Sequence, residues 1–182
     1  MDAAEFARVI RRAPSPEDRI AWFGALLTNE TRRDVEVVGG SAVEVYLSSA
    51  AYVSQDIDLV GDRTVIESVL LRWRFRHVEG RSGRTYWMDE LVGLVDLVGP
   101  ADRSGLPPRK ISTPHGPLAI SAPEPLIIRR LMRAKREKSE DLFGQAAALA
   151  RMGNLDWEYL ESEARYEEVE PGLRRLRKIL HL

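Results

Sequence analysis

Two aspartates one residue apart, Asp56 and Asp58 in "SQDIDLV", are the side chains in this 182-residue sequence whose spacing most directly suggests chemistry. The two-residue period of a strand puts both carboxylates on one face and turns Ile57 and Leu59 toward the core on the other. Carboxylates so placed repel unless a cation lies between them. Mg²⁺ takes oxygen ligands and is commonly held by one or two carboxylates together with substrate phosphates. Such a pair can bracket two metal ions about 3.5–4 Å apart, as in-line phosphoryl or nucleotidyl transfer requires. The same spacing also fits two solvated aspartates at the rim of a strand, since Asp-x-Asp arises often by chance.

A third carboxylate shifts the balance. Asp96 in "GLVDLVG" is the one charged residue of an apolar run. Burying an unpaired ionised aspartate in a central strand is costly, so the expected place for Asp96 is beside Asp56 and Asp58, sharing their metals. The competing reading is a strand-end aspartate that caps a loop. Upstream, "EVVGGSA" ends a short apolar run at Gly39 and Gly40 and opens a helix at Ser41. Glycines permit close approach of a phosphate, the N–H groups at a helix start favour negative charge, and Ser41 adds a hydroxyl donor. A Gly-rich turn is also ordinary punctuation between strand and helix.

The elements that must carry these residues are readable in outline. "MDAAEFARVIRR" spaces Phe6, Val9 and Ile10 as a helix that Pro14 ends. "SPEDRIAWFGALLTNE" restarts with Ser15 as N-cap, Pro16 at the first helical position, and acidic residues in the first turn. "DVEVVGG" and "DIDLVG" read as strands; "SAVEVYLSSA", with Ala42, Val45 and Tyr46 inward, and "RTVIESVLLRW" read as helices. "RFRHVEG" and "RTYWMD" are strands around the turn "GRSG", and Trp73, Phe75, Tyr86 and Trp87 fall on strands as core-filling aromatics. "LVGLVDLVG" resembles a central strand buried on both faces. "RKISTPHGPLAIS" is a hairpin with Pro-His-Gly-Pro at its tip. From Pro123 the chain is helical, in four segments broken at Ser139, Asn154 and Pro171. The expected fold is therefore α/β (α+β), a twisted mixed sheet flanked by helices. A core of residues 1–121 is followed by a C-terminal helical bundle of residues 122–182 that closes the cleft.

Composition excludes several classes. A net charge of -1 gives no global attraction to nucleic acid or anionic membrane. The absence of cysteine excludes disulfides and thiolate metal sites, and it suits a cytoplasmic location. The three histidines match no zinc spacing. No run approaches the ~18–20 apolar residues of a membrane helix, and the acidic start of the chain is unlike a secretory signal. In the helix "IIRRLMRAKREK" basic residues alternate with Leu131, Met132 and Ala134, which fits either a phosphate or RNA contact surface or a solvated face.

The combination "GGSAVEVY…SQDIDLV…VDLV" resembles the nucleotidyltransferase superfamily that shares its catalytic palm with DNA polymerase β, and within it minimal members of the AbiEii/MenT toxin-like type. The resemblance runs from about Val35 to Leu149. It is most specific in the three-part signature and looser in "PEPLIIRRLMRAK…KSEDLF". It implies Mg²⁺-dependent transfer of a nucleoside monophosphate from a nucleoside triphosphate to an acceptor hydroxyl, at a two-metal site held by Asp56, Asp58 and Asp96. Gly39, Gly40 and Ser41 would meet the triphosphate, and Asp96 could also help deprotonate the acceptor. The family's helical lysine aligns with Arg129 or Arg130, with Lys135 a turn later; Asp141 matches a later acidic position. The arginine that often precedes Asp-x-Asp is missing from "AAYVSQ". A toxin-like member would act on tRNA or protein and have an antitoxin partner. The alternatives are a small-molecule transferase of the aminoglycoside-modifying type and a catalytically silent nucleotide-binding module.

Overall fold

Side-chain caps start the first two helices. In the computed structural model, which describes residues 1–48, 52–80, 84–100 and 104–181, Asp2 accepts the Glu5 N–H and opens α1 (Ala3–Ile10). Ser15 accepts the Asp18 N–H and, with Pro16 behind it, opens α2 (Pro16–Thr31). The two helices bring Phe6 and Phe23 together with Trp73 and Phe75, Phe6 stacking on the Trp73 ring at 4.2 Å between centroids. Trp73 follows α4 (Arg63–Arg72) and Phe75 precedes β3 (Arg76–Glu79), so neither lies on a strand as the sequence suggests. Both are core residues, as expected.

The first of two compact units, Met1–Ser121, is built on a seven-stranded sheet with the order β3-β4-β5-β2-β1-β7-β6. The remaining strands are β1 (Glu36–Val38), β2 (Asp56–Val60), β4 (Thr85–Asp89), β5 (Gly93–Gly99), β6 (Arg109–Thr113) and β7 (Gly116–Ile120). Pairing is mixed: β2 runs parallel to β5 and β1 to β7, while the other neighbours are antiparallel. Alternation sends Val37, Ile57, Leu59, Trp87 and Val95 into the core. β5 is not buried on both faces. Only Val95 and Asp96 are buried, and Val98 is 43% exposed. The face opposite the core carries aspartates on β2 and β5, and ionised carboxylates resist being sealed away from water.

Helix α3 spans Gly39–Leu47, two residues earlier at its start than the sequence suggests. Ser41 to Glu44 are buried there, whereas Val45 and Tyr46 are only half-buried. Residues 49–51, on which the expected end of this helix falls, and residues 81–83 of the "GRSG" turn lie outside the described residues.

The second unit, Ala122–Leu182, contains α5 (Pro123–Glu137), α6 (Glu140–Arg151), α7 (Trp157–Tyr166) and α8 (Glu170–Leu180). Pro171 sits inside the first turn of α8, where a missing N–H costs nothing. The last break therefore falls before it, where Glu168 has φ 56°. In α5 the basic residues divide differently from the expected pattern: Arg130 is buried and Arg129 half-buried, while Arg133, Lys135 and Arg136 are exposed. Among the described residues no helix is long and apolar enough to cross a membrane.

Candidate active site

Parallel pairing of β2 with β5 sets Asp58 beside Asp96 in register, with Asp56 opposite Leu94. One carboxylate oxygen from each of Asp56, Asp58 and Asp96 lies within 4.8 Å of the others. Three negative charges in so small a space disfavour one another. The Asp58 carboxyl is pushed up to about 6, first by burial and then by the Asp56 carboxylate, with Asp96 adding to the effect. The Gly40 N–H and Arg84 pull the other way. Asp56 is raised as well, mainly by burial and then by Asp96. An all-oxygen, anionic donor set fits a hard divalent cation such as Mg²⁺ and does not suit a soft one.

The Gly-Gly turn is built around Asp58. Gly39 has φ 63°, and a Cβ there would lie 2.0 Å from Asp58 Oδ2. The Gly40 N–H donates to the same oxygen at 3.3 Å. A Cβ on Gly40 would stand 2.6 Å from Ser54 Oγ and 2.9 Å from the Tyr52 hydroxyl. Both glycines thus make room for the protein's own side chains. Ser41 is fully buried; its hydroxyl donates to Val38 O at 2.9 Å and accepts the Asp58 N–H at 3.2 Å. That hydroxyl ties the turn to β2. The N-cap residue of α3, Val38, gives no side-chain cap, so the Asp58 carboxylate takes that part at Gly40.

Two residues near the triad carry no signal in the sequence alone. Arg84, just before β4, places a guanidinium nitrogen 3.6 Å from Asp96 Oδ2. Glu44, 2% exposed, accepts the Ser54 N–H at 2.6 Å, and burial raises its carboxyl. Glu44, Ser54 and Asp56 line a cavity of about 130 Å³ that also touches Arg19 on α2. Arg84 becomes visible only once the register of β4 on β5 is known, and Glu44 only once the buried face of α3 is known.

The basic residues assigned from the α5 sequence belong to the second unit. Lys135 donates to the Glu168 carbonyl at 2.8 Å. Arg130 is buried at 5% exposure and Arg129 is half-buried. Asp141 is an exposed carboxylate in the first turn of α6, next to the Ser139 cap.

No protein-family model matches this chain, and no curated protein matches it either. Solved structures do. A crystal structure of an antigenic nucleotidyltransferase-like protein from Paracoccidioides brasiliensis superposes with a TM-score of 0.60 at 14% identity, over 87% of this chain and 90% of that one. The solution structure of the antibiotic-resistance factor ANT(2'')-Ia gives a TM-score of 0.53 at 16% identity, over 86% and 95%. At such low identity the likeness speaks to architecture, and the architecture is clear: the chain has a nucleotidyltransferase-like fold, with a mixed sheet flanked by helices.

Proposed function

We propose that this protein is a divalent-metal-dependent nucleotidyltransferase that moves a nucleoside monophosphate from a nucleoside triphosphate to an acceptor hydroxyl. The carrying observation is the convergence of Asp56, Asp58 and Asp96 within 4.8 Å on adjacent parallel strands, beside a helix that opens at a Gly-Gly turn. Those three carboxylates would hold Mg²⁺ in a two-metal site. Bound there, the metal would supply Lewis-acid stabilisation of phosphate charge and lower the pKa of a coordinated hydroxyl.

The chain's own groups do the positioning. Ser41 and the Gly40 N–H fix the backbone and carboxylate of Asp58. In this reading phosphate oxygens would approach the start of α3 at the half-buried Gly39 and Gly40. A silent binding module has no need to keep Asp96 with the other two carboxylates. Assignment of Arg129, Arg130 and Lys135 to phosphate binding rests on the family resemblance.

Two acceptor classes follow. In the toxin-like reading the acceptor is tRNA or a protein hydroxyl, with an antitoxin as partner. The second reading is a small amine-bearing acceptor, of the kind an aminoglycoside-modifying enzyme uses. The cavity beside Asp56 supports it, because the Glu44 and Asp56 carboxylates on its wall outnumber the Arg19 guanidinium and suit a cation better than a polyanion.

Incubation with Mg²⁺, each α-labelled triphosphate in turn, and tRNA, an aminoglycoside panel or no acceptor tests both. Label should move to an acceptor with wild type and not with an Asp56→Ala/Asp58→Ala variant. No transfer and no metal-dependent triphosphate binding by wild type would overturn the reading.

A further inference from the structure

Among the described residues Arg84 is the cation that faces the acidic triad, and it is held there loosely. Its guanidinium stands 3.6 Å from Asp96 Oδ2, beyond ordinary hydrogen-bond length, and its side chain is 63% exposed. Its backbone is anchored: the Arg84 carbonyl accepts the Gly80 N–H at 2.7 Å, at the end of the β3–β4 ladder. Trp87 pairs with Val95 and Met88 with Leu94, so alternation puts Arg84, Tyr86 and Met88 on the sheet face that carries Asp96 and Val98. A fixed root and a free arm beside three carboxylates describe a group able to change partners.

Asp96 cannot serve a guanidinium and a divalent cation equally. Once its carboxylate ligates a metal, its charge is neutralised and the attraction on Arg84 falls. The arginine is then a forked donor, unpaired with Asp96, next to the place where phosphate oxygens would gather. Guanidinium groups bind such oxygens in pairs. We propose that Arg84 is an exchange cation, paired with Asp96 while the carboxylates are unmetallated and with a phosphate of the triphosphate once they hold a divalent ion. This inference rests on the nucleotidyltransferase reading and adds a positioning residue to it.

The test measures two affinities that should move in opposite directions. Mn²⁺ binding without nucleotide is read from the free-ion electron paramagnetic resonance signal. Binding of an α,β-methylene triphosphate at saturating Mn²⁺ is read by calorimetry. Arg84→Ala should tighten Mn²⁺ about two- to five-fold, because an exposed competitor is gone. It should weaken the triphosphate about ten-fold or more, because a charge-assisted contact is lost. Arg84→Lys should fall between, keeping charge without the fork. If wild type binds both ligands and either affinity in Arg84→Ala stays unchanged or shifts the other way, the exchange role is overturned and the nucleotidyltransferase reading stands. If wild type binds neither ligand, that reading is overturned and this inference with it.

Discussion

The sheet face of the first unit and the helices of the second handle charge in opposite ways. On β2 and β5 three carboxylates converge on one another, and among the described residues the one basic side chain in ion-pair range is Arg84, held loosely. In the helical unit, by contrast, the close contacts join opposite charges. Arg175 holds Glu140 through two hydrogen bonds, Arg133 pairs with Glu137, Arg177 with Glu161, and Lys135 reaches the Glu168 carbonyl. Opposite charges in contact on a surface are common and contribute little. Like charges gathered and half-buried are unfavourable for folding, and they persist where something else uses them. The first arrangement is the one on which the proposed site rests, and the second is what helical surfaces commonly show.

The sharpest way to break this contrast is at Gly39. Alanine there takes on a left-handed backbone and also drives its Cβ into Asp58 Oδ2, which a Cβ would approach to 2.0 Å. Strain of about 1–3 kcal/mol from the backbone adds to an overpacking cost of similar size. Gly39→Ala should lose about 3 kcal/mol or more in denaturant unfolding, and divalent binding should fall with it as Asp58 is displaced. A variant with wild-type stability and metal affinity would mean that the turn is not built around Asp58.

Asp58→Asn sharpens the comparison from the other side. The folded carboxyl titrates near 6 against an ordinary value of 3.8, so the folded state binds this proton more tightly than the unfolded chain. Wild-type stability should therefore fall as pH rises from about 4 to about 6, and the ionised carboxylate then costs up to about 3 kcal/mol. Metal-free Asp58→Asn should be more stable than wild type at pH 7.5 by about 1–3 kcal/mol, with the gain vanishing below pH 4. Added Mn²⁺ should stabilise wild type and leave the variant unchanged. Equal stability of the two metal-free proteins at pH 7.5 would show that the triad is not under charge strain.

What was legible beforehand follows the range of each interaction. Asp56 and Asp58 share a face by alternation within one strand, and a lone charge in an apolar run singles out Asp96; both arguments are local. The caps at Ser15 and Pro16 are local too, and they hold. Ser41 defeats a local reading. Its hydroxyl meets the Asp58 N–H because β1 pairs antiparallel with β2, Val38 opposite Asp58. Arg84 reaches Asp96 because β4 lies on β5, a register no short segment encodes. The buried face of α3 includes Glu44, which an apolar pattern assigns to solvent; its carboxylate is there to hold the Ser54 N–H. The basic stripe of α5 divides differently from its pattern for the same reason, since Arg130 is polar in type but buried in place.

The smallest expected effect tests the other half of the contrast. Arg175 lies over the Phe143 ring at 4.1 Å while pairing with Glu140, and both partners of the ion pair are exposed. The guanidinium lowers the Glu140 carboxyl through its hydrogen bonds. Water and salt screen such a pair, and holding two long side chains in place offsets much of the attraction. Glu140→Gln should therefore shift Tm by no more than about 2 °C. It should leave Mn²⁺ and triphosphate affinity unchanged, and the Tm shift should disappear in 1 M salt. Arg175→Ala should cost somewhat more, because the contact with Phe143 goes as well. A loss of triphosphate binding in Glu140→Gln would break the contrast, since it would make a matched pair on the helical surface part of the site.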